Sequence, residues 1–168
     1  MITKKITKTK NKMKNTVNWA NKDFVLEKVR QNGLALQFAS EELRKNKEVV
    51  LEAVKNNSFA LVFASEELKG DKEFILEVVK ESGKALAFAS EELRKDKEVV
   101  LEAVKNNGFA LAFASEELKG DKEVALEAVK ESGYTLEYAS EELRDDIEII
   151  AAARENIEKI LKNNHKND

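Results

Sequence analysis

The side chains here that could do chemistry are carboxylates, amines and hydroxyls, because the 168 residues include no cysteine and one histidine, His165. That composition excludes thiolate catalysis and makes a histidine-based metal site unexpected. Five glutamate pairs stand out: Glu41 and Glu42, Glu66 and Glu67, Glu91 and Glu92, Glu116 and Glu117, Glu141 and Glu142. Paired carboxylates perform acid–base catalysis, or hold calcium, only when they converge on one substrate or ion. Adjacent residues on a helix point about 100° apart, and no Asp-x-Asp-x-Asp-Gly loop is present. The pairs therefore read as a solvated acidic ladder. The serine before each pair (Ser40, Ser65, Ser90, Ser115, Ser140) has no histidine to activate it and reads as a helix cap. A basic ladder, Arg30, Lys55, Lys80, Lys105 and Lys130, has a glutamate three residues before each member. It reads as surface pairing worth a few tenths of a kcal/mol, roughly, per pair. No catalytic residue, cofactor or metal is expected.

Spacing shows which elements position these residues. Ala-Ser-Glu-Glu-Leu begins at Ala39, Ala64, Ala89, Ala114 and Ala139, which defines five 25-residue units: 21–45, 46–70, 71–95, 96–120 and 121–145. A two-unit period lies on top, since 46–70 and 96–120 differ only at Asn46/Asp96, Ser58/Gly108 and Val62/Ala112. Each unit opens on Asn or Asp, a helix N-cap, and an acid follows two residues later near the positive helix end. Apolar residues at i, i+1, i+4 and i+5, as in Val49-Val50-Leu51-Glu52-Ala53-Val54, then predict an amphipathic helix. Gly33, Gly83, Gly108 and Gly133 stand where a left-handed residue would close that helix, with Ser58 the departure. A second helix follows, with Leu111, Ala114 and Leu118 on one face in the fourth unit. The pattern favours two helices per unit with a break at the serine; three short helices result if the serine caps a separate turn.

Helices this short are marginal alone, so each unit must bury its apolar face against its neighbours. The fold class expected is an all-α solenoid, of either hand, with five repeats and a C-terminal capping helix over 146–162 that begins a sixth unit. Residues 1–20 read as a basic leader, largely disordered, in which Val17, Trp19 and Ala20 cover the first unit. Residues 163–168 read as a disordered tail.

Residues 96–119, from Asp96-Lys97-Glu98-Val99-Val100-Leu101 to Ala114-Ser115-Glu116-Glu117-Leu118-Lys119, closely resemble the repeats of the family catalogued as domain of unknown function 4116. The resemblance covers about residues 21–158. It implies a tandem helical array and brings no catalytic residue with it.

The copies disagree with one another most informatively at the start of the second helix, which reads Leu34, Phe59, Lys84, Phe109 and Tyr134, and three residues on, at Gln37, Val62, Ala87, Ala112 and Glu137. Positions that stack unit on unit must stay alike, whereas outward positions can drift. These columns either form an outward stripe, where solenoids bind, or leave Phe59 and Phe109 partly under the next unit. The expected function is a non-enzymatic interaction module, a scaffold or inhibitor, whose partner is another protein. Leu34, Phe59, Val62, Lys84, Phe109, Tyr134 and Glu137 are the candidate contacts.

Charge suggests two other readings. Residues 1–22 hold seven lysines and no acid, which leaves the rest strongly acidic. The acidic ladder could mimic a nucleic-acid backbone and occupy the basic groove of a nucleic-acid enzyme, as a phage or pathogen inhibitor would. Direct nucleic-acid binding through the lysine arm is the weaker reading, because the acidic body repels phosphates. No membrane span or secretory leader is recognisable, which sets a cytoplasmic location as the expectation.

Overall fold

The computed structural model describes residues 17–164, so the reading of a disordered leader falls outside them over 1–16 and that of a disordered tail, with His165, over 165–168, whereas Asn163 and Asn164, expected in the tail, continue the capping helix. Among the described residues there is no strand, and every unit repeats one triple of helices. The long α-helix is Lys22–Gln31, Lys47–Asn56, Lys72–Glu81, Lys97–Asn106 and Lys122–Glu131 in turn. A 3₁₀ helix follows at Gly33–Phe38, Ser58–Phe63, Gly83–Phe88, Gly108–Phe113 and Gly133–Tyr138. A short α-helix ends each unit at Glu41–Arg44, Glu66–Gly70, Glu91–Arg94, Glu116–Lys119 and Glu141–Arg144.

Three helices per unit replace the favoured two, and the cause is local. Ala39 and Ser40 are extended (φ −61°, ψ 149° and φ −56°, ψ 157°), and the serine hydroxyl accepts from the backbone N–H three residues on, Leu43 N at 3.3 Å. The cap recurs at Ser65, Ser90, Ser115 and Ser140. It separates the short helix from what precedes it, so Leu111 and Leu118 reach the core from different helices and Ala114 from the extended link between them. Each long helix is capped by its opening side chain, as where Asp71 Oδ1 accepts from Phe74 N at 2.9 Å.

The glycines also act differently from the expectation, for no described glycine has a positive φ. Their role is close approach. A Cβ at Gly33, Gly83, Gly108 or Gly133 would lie under 3.0 Å from the carbonyl oxygen of Ala53, Ala103, Ala128 or Ala153 on the next unit's long helix. Small residues on both sides thus let neighbouring backbones meet. Ser58 breaks the rule, and Val78 stands where the others have alanine, so the long helices of units 2 and 3 pack less closely than other neighbours.

The core is one continuous column. Leu36, Leu61, Leu86 and Leu111 of the 3₁₀ helices are fully buried against Val25, Val50, Ile75 and Val100 of the long helices. Each such leucine contributes about 1.5–3 kcal/mol through removal from water. Thr135, where other units have alanine, is the one buried polar residue among those described, and its hydroxyl donates to Ser132 O at 2.7 Å.

Polar ladders tie unit to unit. The backbone N–H of each cap serine donates to a carbonyl of the preceding unit, Ser65 N to Arg44 O at 3.1 Å and Ser115 N to Arg94 O at 3.0 Å. Ser40 N reaches Trp19 O at 2.8 Å, so residues 18–20 reproduce the last turn of a preceding unit. The Trp19 ring packs on Phe24 and Phe38, with centroids 5.3 and 5.2 Å away. At the other end, the cap runs unbroken over Ile147–Asn164, with Ile157 where the other units carry the Asn or Ser that opens the 3₁₀ helix.

Candidate functional site

The 3₁₀ helices stack side by side along the array, which brings equivalent residues of successive units into columns. Phe59, Lys84 and Phe109, all from the first candidate column, line one groove of about 530 Å³. Its floor is Ala87 and Ala112 of the second column. Small side chains there leave a channel where valine or glutamate would fill it.

The candidate residues do not all meet. Phe59 is 48 % exposed, Phe109 39 % and Tyr134 54 %, so the stripe faces outward, while Phe59 and Phe109 also lie partly against Phe88 and Tyr138 of the next unit. Leu34 is half-buried, while Val62 and Tyr134 are exposed without lining the groove. Glu137 is also exposed, and its hydrogen bond to Tyr138 is the main cause that raises the Tyr138 phenol above its ordinary pKa, ahead of burial.

Sequence reasoning missed the groove's third column: Phe38, Phe63, Phe88, Phe113 and Tyr138, aromatic in all five units. Sameness between copies pointed to the core, yet all five remain half-buried or exposed. Phe88, Phe113 and Tyr138 form a groove wall. Phe88 and Tyr138 are held by edge-on contacts across unit boundaries, Phe59 with Phe88 at 5.2 Å and Phe109 with Tyr138 at 6.2 Å. The signal available was spacing: they stand two residues after the fully buried leucines Leu36, Leu61, Leu86 and Leu111, away from the core side of a three-residue turn.

The acidic ladder is partly neutralised by lysines within or at the end of its own short helices. Glu41 pairs with Lys45 at 2.9 Å, Glu91 with Lys95 at 2.5 Å and Glu116 with Lys119 at 2.7 Å; Glu66 pairs with Lys69. Hydrogen bonds from Lys45 and Lys95 hold the Glu41 and Glu91 carboxyls below the usual range. The basic ladder reaches across units as well as within them, with Arg30 on Glu52 at 3.3 Å and Lys130 on Glu127 at 3.0 Å.

A second set of charges, not foreseen, forms the more regular ladder. Lys72 spans Asp96 and Glu98, Lys97 spans Asp121 and Glu123, and Lys122 spans Asp146 and Glu148, all at 2.8–2.9 Å. Asn56, Asn106 and Asn156 add a two-way staple on alternate boundaries. Asn106 Oδ1 accepts from Gly83 N at 2.7 Å while Asn106 Nδ2 donates to Lys80 O at 2.8 Å, and the other two do the same. Glu81 and Glu131 hold the corresponding places on the other boundaries and have no amide to donate.

Among the described residues no group of three or more His, Asp or Glu side chains is arranged to hold a metal ion. No described helix is long and apolar enough to cross a membrane.

Tandem three-helix units, one continuous core and a groove across stacked 3₁₀ helices define an all-α solenoid repeat protein. The family described as Domain of unknown function (DUF4116) matches residues 21–69, 71–119 and 121–153, and the chain belongs to that family. Each full match spans a pair of units, and the staples of Asn56 and Asn106 fall inside those pairs. Neither a curated protein nor a solved structure matches the chain.

Proposed function

We propose that this chain is a non-enzymatic interaction module whose partner is another protein, docked in the groove of units 2 to 5. The observation that carries this reading is the run of outward aromatics over an alanine floor, held in place by a scaffold that already satisfies its own core. Exposed contiguous apolar surface is costly to keep unless something covers it. The lining offers one amine, one hydroxyl and one phenol, Lys84, Ser58 and Tyr138, without the nucleophile and base in mutual reach that a reaction would need. Mimicry of a nucleic acid is less favoured, because lysines within or at the end of the same short helices already pair with Glu41, Glu66, Glu91 and Glu116. A cysteine-free chain suits the reducing cytoplasm.

Peptides selected by display on the full chain test the reading. Phe59→Glu and Phe109→Glu, at partly exposed positions, are expected to weaken the selected peptides about tenfold or more with an unchanged far-UV spectrum and a melting temperature lowered by only a few degrees, from the lost aromatic pair. Selected peptides that bind both variants as well as they bind the native chain count against the groove.

A further inference from the structure

The groove dictates what kind of segment fits it. Its floor and walls are almost wholly apolar, formed by Ala87, Ala112 and the rings of units 2 to 5. An extended peptide laid there would face that surface with unpaired backbone N–H and C=O groups, each costly when dehydrated. An α-helix satisfies its own backbone and presents side chains alone. The groove also runs along the array, because its residues come from consecutive units at equivalent positions.

Register follows from the first column. Phe59, Lys84 and Phe109 place an apolar, a cationic and an apolar contact in three successive units. Packed elements lie about 8–10 Å apart, and two turns of helix, seven residues, advance about 10.5 Å. One contact from each unit therefore matches one residue in about every seven of a helix lying lengthwise.

Lys84 is exposed and is the only charged residue of the lining. None of the ion pairs among the described residues involves Lys84, so its amine is open to a carboxylate brought by a ligand. The acidity of the body opposes an acidic ligand at long range, but salt screens that repulsion beyond about 8 Å. A carboxylate seated in the groove meets Lys84 inside that distance.

Resting on the reading of the groove as a protein-docking site, we propose that its occupant is an amphipathic α-helix of a partner protein. That helix has two large apolar residues about fourteen positions apart, seated by Phe59 and Phe109, and an Asp or Glu midway that pairs with Lys84.

The test uses the full chain and three labelled peptides on one helix-forming background: leucines at both apolar positions with a central Glu, the same with a central Lys, and the Glu peptide broken by a central proline. Affinities are read by fluorescence anisotropy. The native chain is expected to bind the Glu peptide about fivefold more tightly than the Lys peptide and the proline peptide more weakly still. Lys84→Glu should reverse the charge preference, and Lys84→Gln should erase it. A preference for the Lys peptide, no reversal in Lys84→Glu, or equal binding of the proline peptide overturns the proposal.

Phe109→Glu separates the two levels of the argument. If it abolishes binding while charge and helicity make no difference, the acidic-helix assignment falls and the groove stands. If binding survives it, or no peptide binds, both fall.

Discussion

Gly83 and Gly70 belong to the same residue type and meet opposite surroundings. At Gly83 an added Cβ would lie under 3.0 Å from Ala103 O, a backbone atom that can move only if two units separate. At Gly70 the nearest atom to an added Cβ is Ser90 Oγ at 4.0 Å. Gly83→Ala is therefore expected to cost about 2–3 kcal/mol through overpacking. Gly70→Ala should be neutral or stabilise by about 0.4–1 kcal/mol, because it restricts the unfolded chain at a position with ordinary backbone angles. Urea denaturation of the two variants beside the native chain measures this, and equal shifts of the midpoint would contradict the close-approach role. Ser58 is the natural version of the experiment: the side chain is accommodated there because the facing units stand further apart.

The elements are joined by the lysine ladder, and its acids and lysines titrate in opposite directions. Asp71 and Asp146 lie below their ordinary value of 3.8, chiefly through hydrogen bonds from Lys47 and Lys122. Burial pushes Asp96 and Asp121 up, but Lys72 and Lys97, with the capped N–H groups of Val99 and Val124, outweigh it and leave both lowered. A carboxylate with a depressed folded pKa contributes stability that is present above its unfolded value and lost as pH falls through the folded value. Lys47, Lys72 and Lys97 are raised above 10.5 chiefly by hydrogen bonds to Asp71, Asp96 and Asp121, and Lys122 by those to Glu148 and then Asp146, so their share is present below 10.5 and lost as pH rises through the raised values. Urea midpoints should be flat from about pH 5 to 9 and drop below about pH 4 and above about pH 10.5. Asp96→Asn, which keeps the cap as Asn46 does, should reduce the acid-side drop; an undiminished drop would place the acid sensitivity elsewhere.

This is also the scale at which the sequence was most and least legible. Unit length follows from the recurrence of Ala-Ser-Glu-Glu-Leu, and N-caps and buried valines from local pattern, since each of these is fixed by residues within a turn or two. The role of Gly33 or Gly83 does not, because it depends on a carbonyl 20 residues away on the next unit, and the separate 3₁₀ helix was legible only as an alternative, since it turns on whether the serine caps a turn of its own. The groove fell between. Phe59, Lys84 and Phe109 were visible as a drifting column, while Phe88, Phe113 and Tyr138 were hidden by their sameness, a property that exposed wall residues share with core.

For the molecule as a whole, the problem a solenoid must solve is how to stop. Every long helix but the last is covered by the unit that follows, and its ninth position in the unit is Val29, Val54, Val79, Val104 and Val129, all fully buried or nearly so. In the sixth unit that position is Arg154, and it is exposed. Leucine at the sixth position becomes Ala151, also exposed, and the ladder lysine becomes Ile147, 85 % exposed. A further copy stacked on this end would bury the Arg154 guanidinium against apolar residues with no carboxylate supplied by the repeat pattern, which is strongly unfavourable. The start is closed by different means: Trp19 covers Phe24 and Phe38, and its carbonyl completes the serine ladder. A terminal unit with a polar outer face keeps a repeat array from growing end to end. Arg154→Val restores the interior pattern at that end and is expected to make the chain associate with rising concentration. Sedimentation velocity from micromolar to millimolar concentrations reads it directly: the native chain should hold one sedimentation coefficient while the variant shifts to larger species. Arg154→Lys, which retains the charge, should behave as the native chain does. A variant that stays unassociated across that range would show that Arg154 is not by itself what closes the array.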